Sequence, residues 1–123
     1  MMRTIDDLHD GVVGIEAHGK VTGEDYETVL IPVVERALQA HRKIRFLYRI
    51  APDFTGFTGT ALWDDARLGM RHLGGWERIA VVTDVDWIAD AVKAFRVFLP
   101  AKTRLFHNDE FQLAKDWLEA VAS

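Results

Sequence analysis

The chain has 123 residues, of which 49% are apolar and 28% charged, with a formal net charge of −4 and no cysteine. Such a length buries a real core as one domain, residues 1–123, without disulfides or a metal, and the missing cysteine excludes disulfides, thiolate zinc sites and thiol nucleophiles. An acidic balance argues against nucleic acid as the partner.

Met1-Met2-Arg3-Thr4 leads straight to Asp6 and Asp7, with no apolar stretch of the signal-peptide kind. No run approaches the roughly 18 apolar residues that span a bilayer. The expected location is a reducing cytoplasm.

In chain order, Ile5 to Leu8 is a weak strand candidate, joined by His9-Asp10-Gly11 to a stronger strand at Val12 to His18. Asp-Gly favours a tight turn because glycine accepts positive φ cheaply, so the two strands form a candidate hairpin. Val13, Ile15 and Ala17 face one way and Gly14, Glu16 and His18 the other, implying a sheet with one wet or lightly covered face. Thr22-Gly23-Glu24-Asp25 reads as a helix start, with a hydroxyl for the orphan N–H groups and acids at the positive end of the dipole. Tyr26, Val29, Leu30, Val33, Val34, Ala37 and Leu38 follow at three-and-four spacing as a core stripe. Pro32 interrupts this pattern and predicts a kink, because the periodicity continues past it. His41-Arg42-Lys43 marks the helix end.

Ile44 to Ile50 is the next strand, with Ile44, Phe46, Tyr48 and Ile50 alternating with Arg45, Leu47 and Arg49. The arginines read as helix-end capping on a wet strand face rather than as a basic patch. Residues 51–60 are the chief loop signal, yet Phe54 and Phe57 are too apolar for an idle loop. A helix is expected from about Thr60 to Leu73, stopped by Gly74-Gly75.

The stretch from Glu77 to Pro100 is central. Arg78 to Asp84 reads as a buried strand, and Val85 to Leu99 as a helix with more apolar surface than one stripe needs. Ile88, Ala91, Val92, Phe95 and Leu99 make a core stripe, with Trp87, Ala94 and Phe98 flanking it. Asp84, at the carboxyl end of a strand where open α/β sheets place ligands, is favoured as a helix cap, since Thr83 or Asp84 can satisfy the first N–H groups of the next helix. Thr103 to His107 makes a last strand, and Asp109 with Gln112 a candidate capping box for the last helix.

This order implies an α/β fold with a five-stranded mixed sheet and about four helices, in the order β-β-α-β-α-β-α-β-α. Right-handed crossovers between neighbouring strands would gather the helices on one face. The order, with Arg78-Ile79-Ala80-Val81-Val82-Thr83-Asp84 before Trp87, Phe57-Thr58 before Ala61-Leu62-Trp63-Asp64-Asp65, and Ala114-Lys115-Asp116-Trp117-Leu118, resembles the SpoIIAA-like family of small bacterial proteins. The resemblance implies a fold shared with STAS domains and similar to the lipid-binding CRAL-TRIO fold. It suggests an apolar or lipid-like ligand.

Enzyme motifs are missing. There is no GxGxxG, GxxxxGK, HExxH or Gly-x-Ser-x-Gly pattern, and the sole serine is Ser123. His9, His18, His41, His72 and His107 lie far apart on different elements, with no ligand spacing for a metal. The expectation is therefore a binding protein without catalysis, cofactor or metal. Spare apolar surface on the Val85 to Leu99 helix has three outlets: burial, a protein interface such as a homodimer, or a ligand cleft. The candidate cleft lies between that helix and the Phe54 to Trp63 segment, lined by Phe54, Phe57, Trp63, Trp87, Phe95 and Phe98. The alternative is a regulatory protein-interaction module. In STAS regulators a phosphorylatable serine opens the helix after the third strand, and here Asp53, Thr55, Thr58 and Thr60 occupy the comparable loop. Serine is absent and Phe54 stands where that motif is polar, so capping and turn roles for the threonines compete with a switch.

Overall fold

The computed structural model describes residues 1–6, 8–59, 75–98 and 101–120. Five strands, β1 (Met2–Thr4), β2 (Val12–Ala17), β4 (Ile44–Ile50), β6 (Trp76–Val82) and β7 (Lys102–Phe106), form one mixed sheet in the order β1-β2-β4-β6-β7. Only β1 runs antiparallel to its neighbour. A second, two-stranded parallel sheet joins β3 (Lys20–Val21) to β5 (Gly56–Phe57). The helical segments are a run from Gly23 to Ala40, then α3 (Asp86–Phe95) and α4 (Phe111–Glu119). The helix expected from Thr60 to Leu73 lies outside the described residues.

The first strand begins earlier than its sequence suggests. Met2–Thr4 pairs with Ile15–Ala17, while Ile5 adds one further bond from its N–H to the Gly14 carbonyl at 2.8 Å. Ile5 and Leu8 instead lie over Gly14, packed on the sheet. The turn itself is as expected: Gly11 has φ +82° and Val12 N–H donates to the His9 carbonyl.

Thr22 caps the first helical run, accepting from Asp25 N–H while the Asp25 carboxylate accepts from Thr22 N–H at 2.8 Å. The run consists of α1 (Gly23–Asp25), a π-turn (Tyr26–Leu30) and α2 (Ile31–Ala40). The proline that predicts a kink sits at the second position of α2, just after the π-turn. Pro32 has no N–H to give to the previous turn, and widening that turn to an i→i+5 pattern accommodates the missing bond. The apolar stripe stays in phase, with Tyr26, Leu30 and Val34 fully buried. The Tyr26 and Tyr48 hydroxyls meet at 2.9 Å inside the core.

The helical run and α3 cover one face of the sheet, packing on Ile15, Phe46, Tyr48, Ile79 and Val81. The other face, expected to be lightly covered, carries α4. Ala114 and Leu118 seal Leu47, Ala80, Val82 and Phe106. The one-face expectation fails here because α4 follows the last strand and makes no crossover, so the handedness rule places no constraint on it. Arg45 and Arg78 donate to the carbonyls of Leu118, Trp117 and Ala120 at the end of α4, so the strand arginines do cap a helix, but one distant in sequence. The guanidinium groups of Arg78 and Arg104 lie over the Trp117 ring, 5.3 and 5.4 Å from its centroid.

The β6 strand starts two residues before the expected Arg78, because Trp76 pairs with Ile44 and the register then jumps so that Arg78 pairs with Arg45. Glu77 is the extra residue of a bulge, which turns Trp76 onto the face of the first helical run and Arg78 onto that of α4. The last helix is also entered differently. His107 N–H donates to Glu110 Oε1 and Glu110 N–H to the His107 carbonyl, so the pair is His107 with Glu110, rather than Asp109 with Gln112.

Candidate functional site

The carboxyl ends of β2, β4, β6 and β7 meet the segment 51–58 and the start of α3. This is the edge at which open parallel sheets bind ligands. Segment 51–58 is anchored by its backbone: Ala51 N–H donates to the Ala17 carbonyl, Thr55 N–H to Gly19 and Thr58 N–H to Val21. Lys20 and Val21 also pair with Gly56 and Phe57. This short parallel pairing, too brief to show in a sequence pattern, turns Phe54 and Phe57 back onto the core.

Three of the six candidate lining residues come together there. Phe54 and Phe57 have ring centroids 4.9 Å apart, and Phe57 meets Trp87 edge-to-face at 6.0 Å and 83°. The two phenylalanines are half-buried, while Trp87 on the first turn of α3 is 52% exposed. Covering the remaining indole surface, about 100 Å², is worth roughly 2–3 kcal/mol at the usual apolar coefficient. Phe95 ends α3 and Phe98 lies in the 3-10 turn that follows it. Their side chains, and all of Trp63, lie outside the described part of the structure. Ile88 is buried and Val85 and Val92 pack on the core, so these residues serve folding while Trp87 is left half-exposed.

Of the regulatory candidates, Asp53 and Thr55 are exposed and Thr58 is half-buried, while Thr60 lies outside the described residues. Asp53 is engaged in a hydrogen bond, its Oδ1 2.9 Å from His18 Nδ1.

That pair begins a polar chain along the sheet edge. His18 Nε2 lies 2.8 Å from Glu16 Oε1, and Arg49 Nη1 donates to Glu16 Oε2 at 2.8 Å. Arg49 Nε donates to Asn108 Oδ1 at 3.0 Å, and Asn108 Nδ2 donates both to the Ile50 carbonyl and to Asp84 Oδ2. Asp84 Oδ1 accepts from Asn108 N–H at 3.1 Å and lies 3.3 Å from His107 Nδ1. The bonds from Asn108 hold the Asp84 carboxyl below its ordinary range, a little opposed by burial and aided by His107. Burial raises the Glu16 carboxyl, and the bonds from His18 and Arg49 more than offset it, leaving the group below its ordinary value.

Asp84 therefore does not cap its own helix, as its position suggested. Thr83 Oγ1 accepts from Val85 N–H, and Asp84 serves the N-terminal end of the segment leading into α4. Glu16, Arg49 and Asn108 belong to this chain of contacts although no sequence motif marks them as site residues. Glu16 and Arg49 become partners through the β2–β4 register, which sets them directly opposite each other. Asn108 carries no pattern at all.

A separate cleft of about 220 Å³ opens at the other end of the strands, lined by His9, Asp10, Val12, Arg45, Glu77 and Glu119. Its wall carries the charged or titratable groups of His9, Asp10, Arg45, Glu77 and Glu119. Among the described residues no three histidines, aspartates or glutamates stand close enough to hold a metal ion, and no helix is long and apolar enough to cross a membrane.

Residues 12–119 match the SpoIIAA-like family, and the chain belongs to it. A solved structure, an uncharacterised protein with a SpoIIAA-like fold from Shewanella loihica PV-4, is similar over 96% of this chain and 92% of its own, with a TM-score of 0.74 and 29% identity. No curated protein matches the sequence.

Proposed function

We propose that this protein is a non-enzymatic binding protein, taking a small apolar or lipid-like ligand beside α3 against Phe54, Phe57 and Trp87. The observation that carries the reading is the half-exposed Trp87 in edge contact with Phe57, an aromatic surface left over after the core is filled, at the ligand-binding edge of the sheet. Asp53, His18, Glu16, Arg49, Asn108 and Asp84 at this edge are engaged with one another, which favours apolar burial as the attraction. Native mass spectrometry of gently purified protein, before and after solvent extraction, tests it. A bound mass that the solvent removes and that lipid analysis identifies is the expected result. An empty extract, with tryptophan fluorescence unmoved by fatty acids and detergents, refutes it.

A second reading, a regulatory protein-interaction module, draws on the exposed Thr55 beside Asp53. Phosphate there would add a dianion near the Asp53–His18 pair and alter the surface offered to a partner. Unchanged partner recovery by Thr55→Glu, Thr58→Glu and Thr60→Glu counts against it.

A further inference from the structure

The ring of His18 stands between two carboxylates, with Nδ1 2.9 Å from Asp53 Oδ1 and Nε2 2.8 Å from Glu16 Oε1. A neutral imidazole has one N–H and one lone pair, so only a ring carrying both protons donates to both ionised partners. We propose that His18 is a pH-dependent clasp: as imidazolium it ties the 53–57 segment to the sheet edge, and on losing a proton it loosens that segment and the contact between Phe57 and Trp87. For its consequence the clasp rests on the apolar-site reading, since the segment it holds carries two of the aromatic residues of that site.

The charged surroundings favour this arrangement. Glu16 turns its second oxygen to Arg49 of β4, and the bonds that keep its carboxyl low leave it ionised across the range in which histidine titrates. Asp53, from the loop after β4, is the more exposed partner, with a side chain 66% exposed against 21% for His18. The Met1 ammonium donates to the carbonyls of His18 and Lys20 and pairs with Asp25 at 3.3 Å. Lys20, exposed on β3, follows two residues on. When the ring loses a proton, one nitrogen presents a lone pair to a carboxylate, and the exposed Asp53 is the partner free to swing away. Closure therefore strengthens as pH falls and weakens as pH rises. The backbone bonds of Thr55 and Thr58 remain, so the clasp tunes opening rather than releasing the loop, by about tenfold or less in the open fraction.

Fluorotryptophan NMR on the full chain tests this, with Trp87→Phe assigning the signal, between about pH 5.5 and about pH 8.5. The expected result is a Trp87 resonance that shifts with pH in step with the His18 ring nitrogens, and that is flat in His18→Gln and in Asp53→Asn. Asp53→Asn keeps the comparison open if His18→Gln fails to fold. A wild-type Trp87 signal flat across the range, or one that titrates equally in both variants, overturns the clasp. Laurate titrations at the two pH extremes separate the two claims. Laurate bound with equal affinity at both extremes overturns the control of the site while leaving the site intact. A titrating Trp87 signal with no laurate binding supports the clasp and refutes the ligand.

Discussion

Asn108→Ala is the most informative single change at the sheet edge. The side chain makes three bonds: with the guanidinium of Arg49 at 3.0 Å, the carboxylate of Asp84 at 3.0 Å and the carbonyl of Ile50 at 3.1 Å. Two involve charged groups, worth about 1.5–3 kcal/mol each, and the third about 0.5–1.5 kcal/mol. Asp84 is 55% exposed and regains water, so its share falls well below that range. Arg49, at 26% exposed, keeps Glu16 and its seat over the Phe111 ring, 4.9 Å away, which limits its loss as well. The net expectation is a destabilisation of about 2–3 kcal/mol, measured by urea unfolding as a lower midpoint with an unchanged slope. Asn108→Asp should cost more, because it faces Asp84 with a second carboxylate. A loss below about 0.5 kcal/mol for Asn108→Ala would show that the network holds nothing in solution.

Three further changes probe the frame. Gly14→Ala places a Cβ 2.8 Å from Ile5 Cβ and 2.6 Å from Leu8 Cδ1; Leu8 can rotate away but Ile5 Cβ cannot, so a lower melting temperature, equivalent to about 1–3 kcal/mol, is expected. Thr22→Ala removes the acceptor for Asp25 N–H and should cost about 1 kcal/mol by the same unfolding assay. The third concerns acid. Asp84 is held below its unfolded value, so its contribution is present above that value, about pH 4, and is lost as pH falls through the lower native one. Urea midpoints against pH should therefore fall less steeply on the acid side in Asp84→Asn than in wild type.

Much of the architecture was legible because it rests on local pattern. The alternation in Val12 to Ala17 and Ile44 to Ile50 marked both strands, and the Thr22 cap and the Tyr26, Leu30 and Val34 stripe marked the first helical run. The errors fall where tertiary packing decides. Ile5 and Leu8 look like a strand because they are apolar, but their role is to cover Gly14. The arginines of β4 look like a wet face because α4 returns over them only after the last strand. Within the site, Phe54, Phe57 and Trp87 stood out as apolar residues without an evident core position. The polar chain beside them did not, because apart from the Glu16–Arg49 register pair it joins side chains from segments far apart in sequence.

The measurement that bears most directly on the binding reading is chemical-shift mapping of a fatty-acid series on isotope-labelled protein. Saturable shifts centred on Phe54, Phe57 and Trp87 are expected, growing with chain length and lost in Phe57→Ser. No saturable shift, or shifts centred on the polar cleft around Arg45, Glu77 and Glu119, would contradict it.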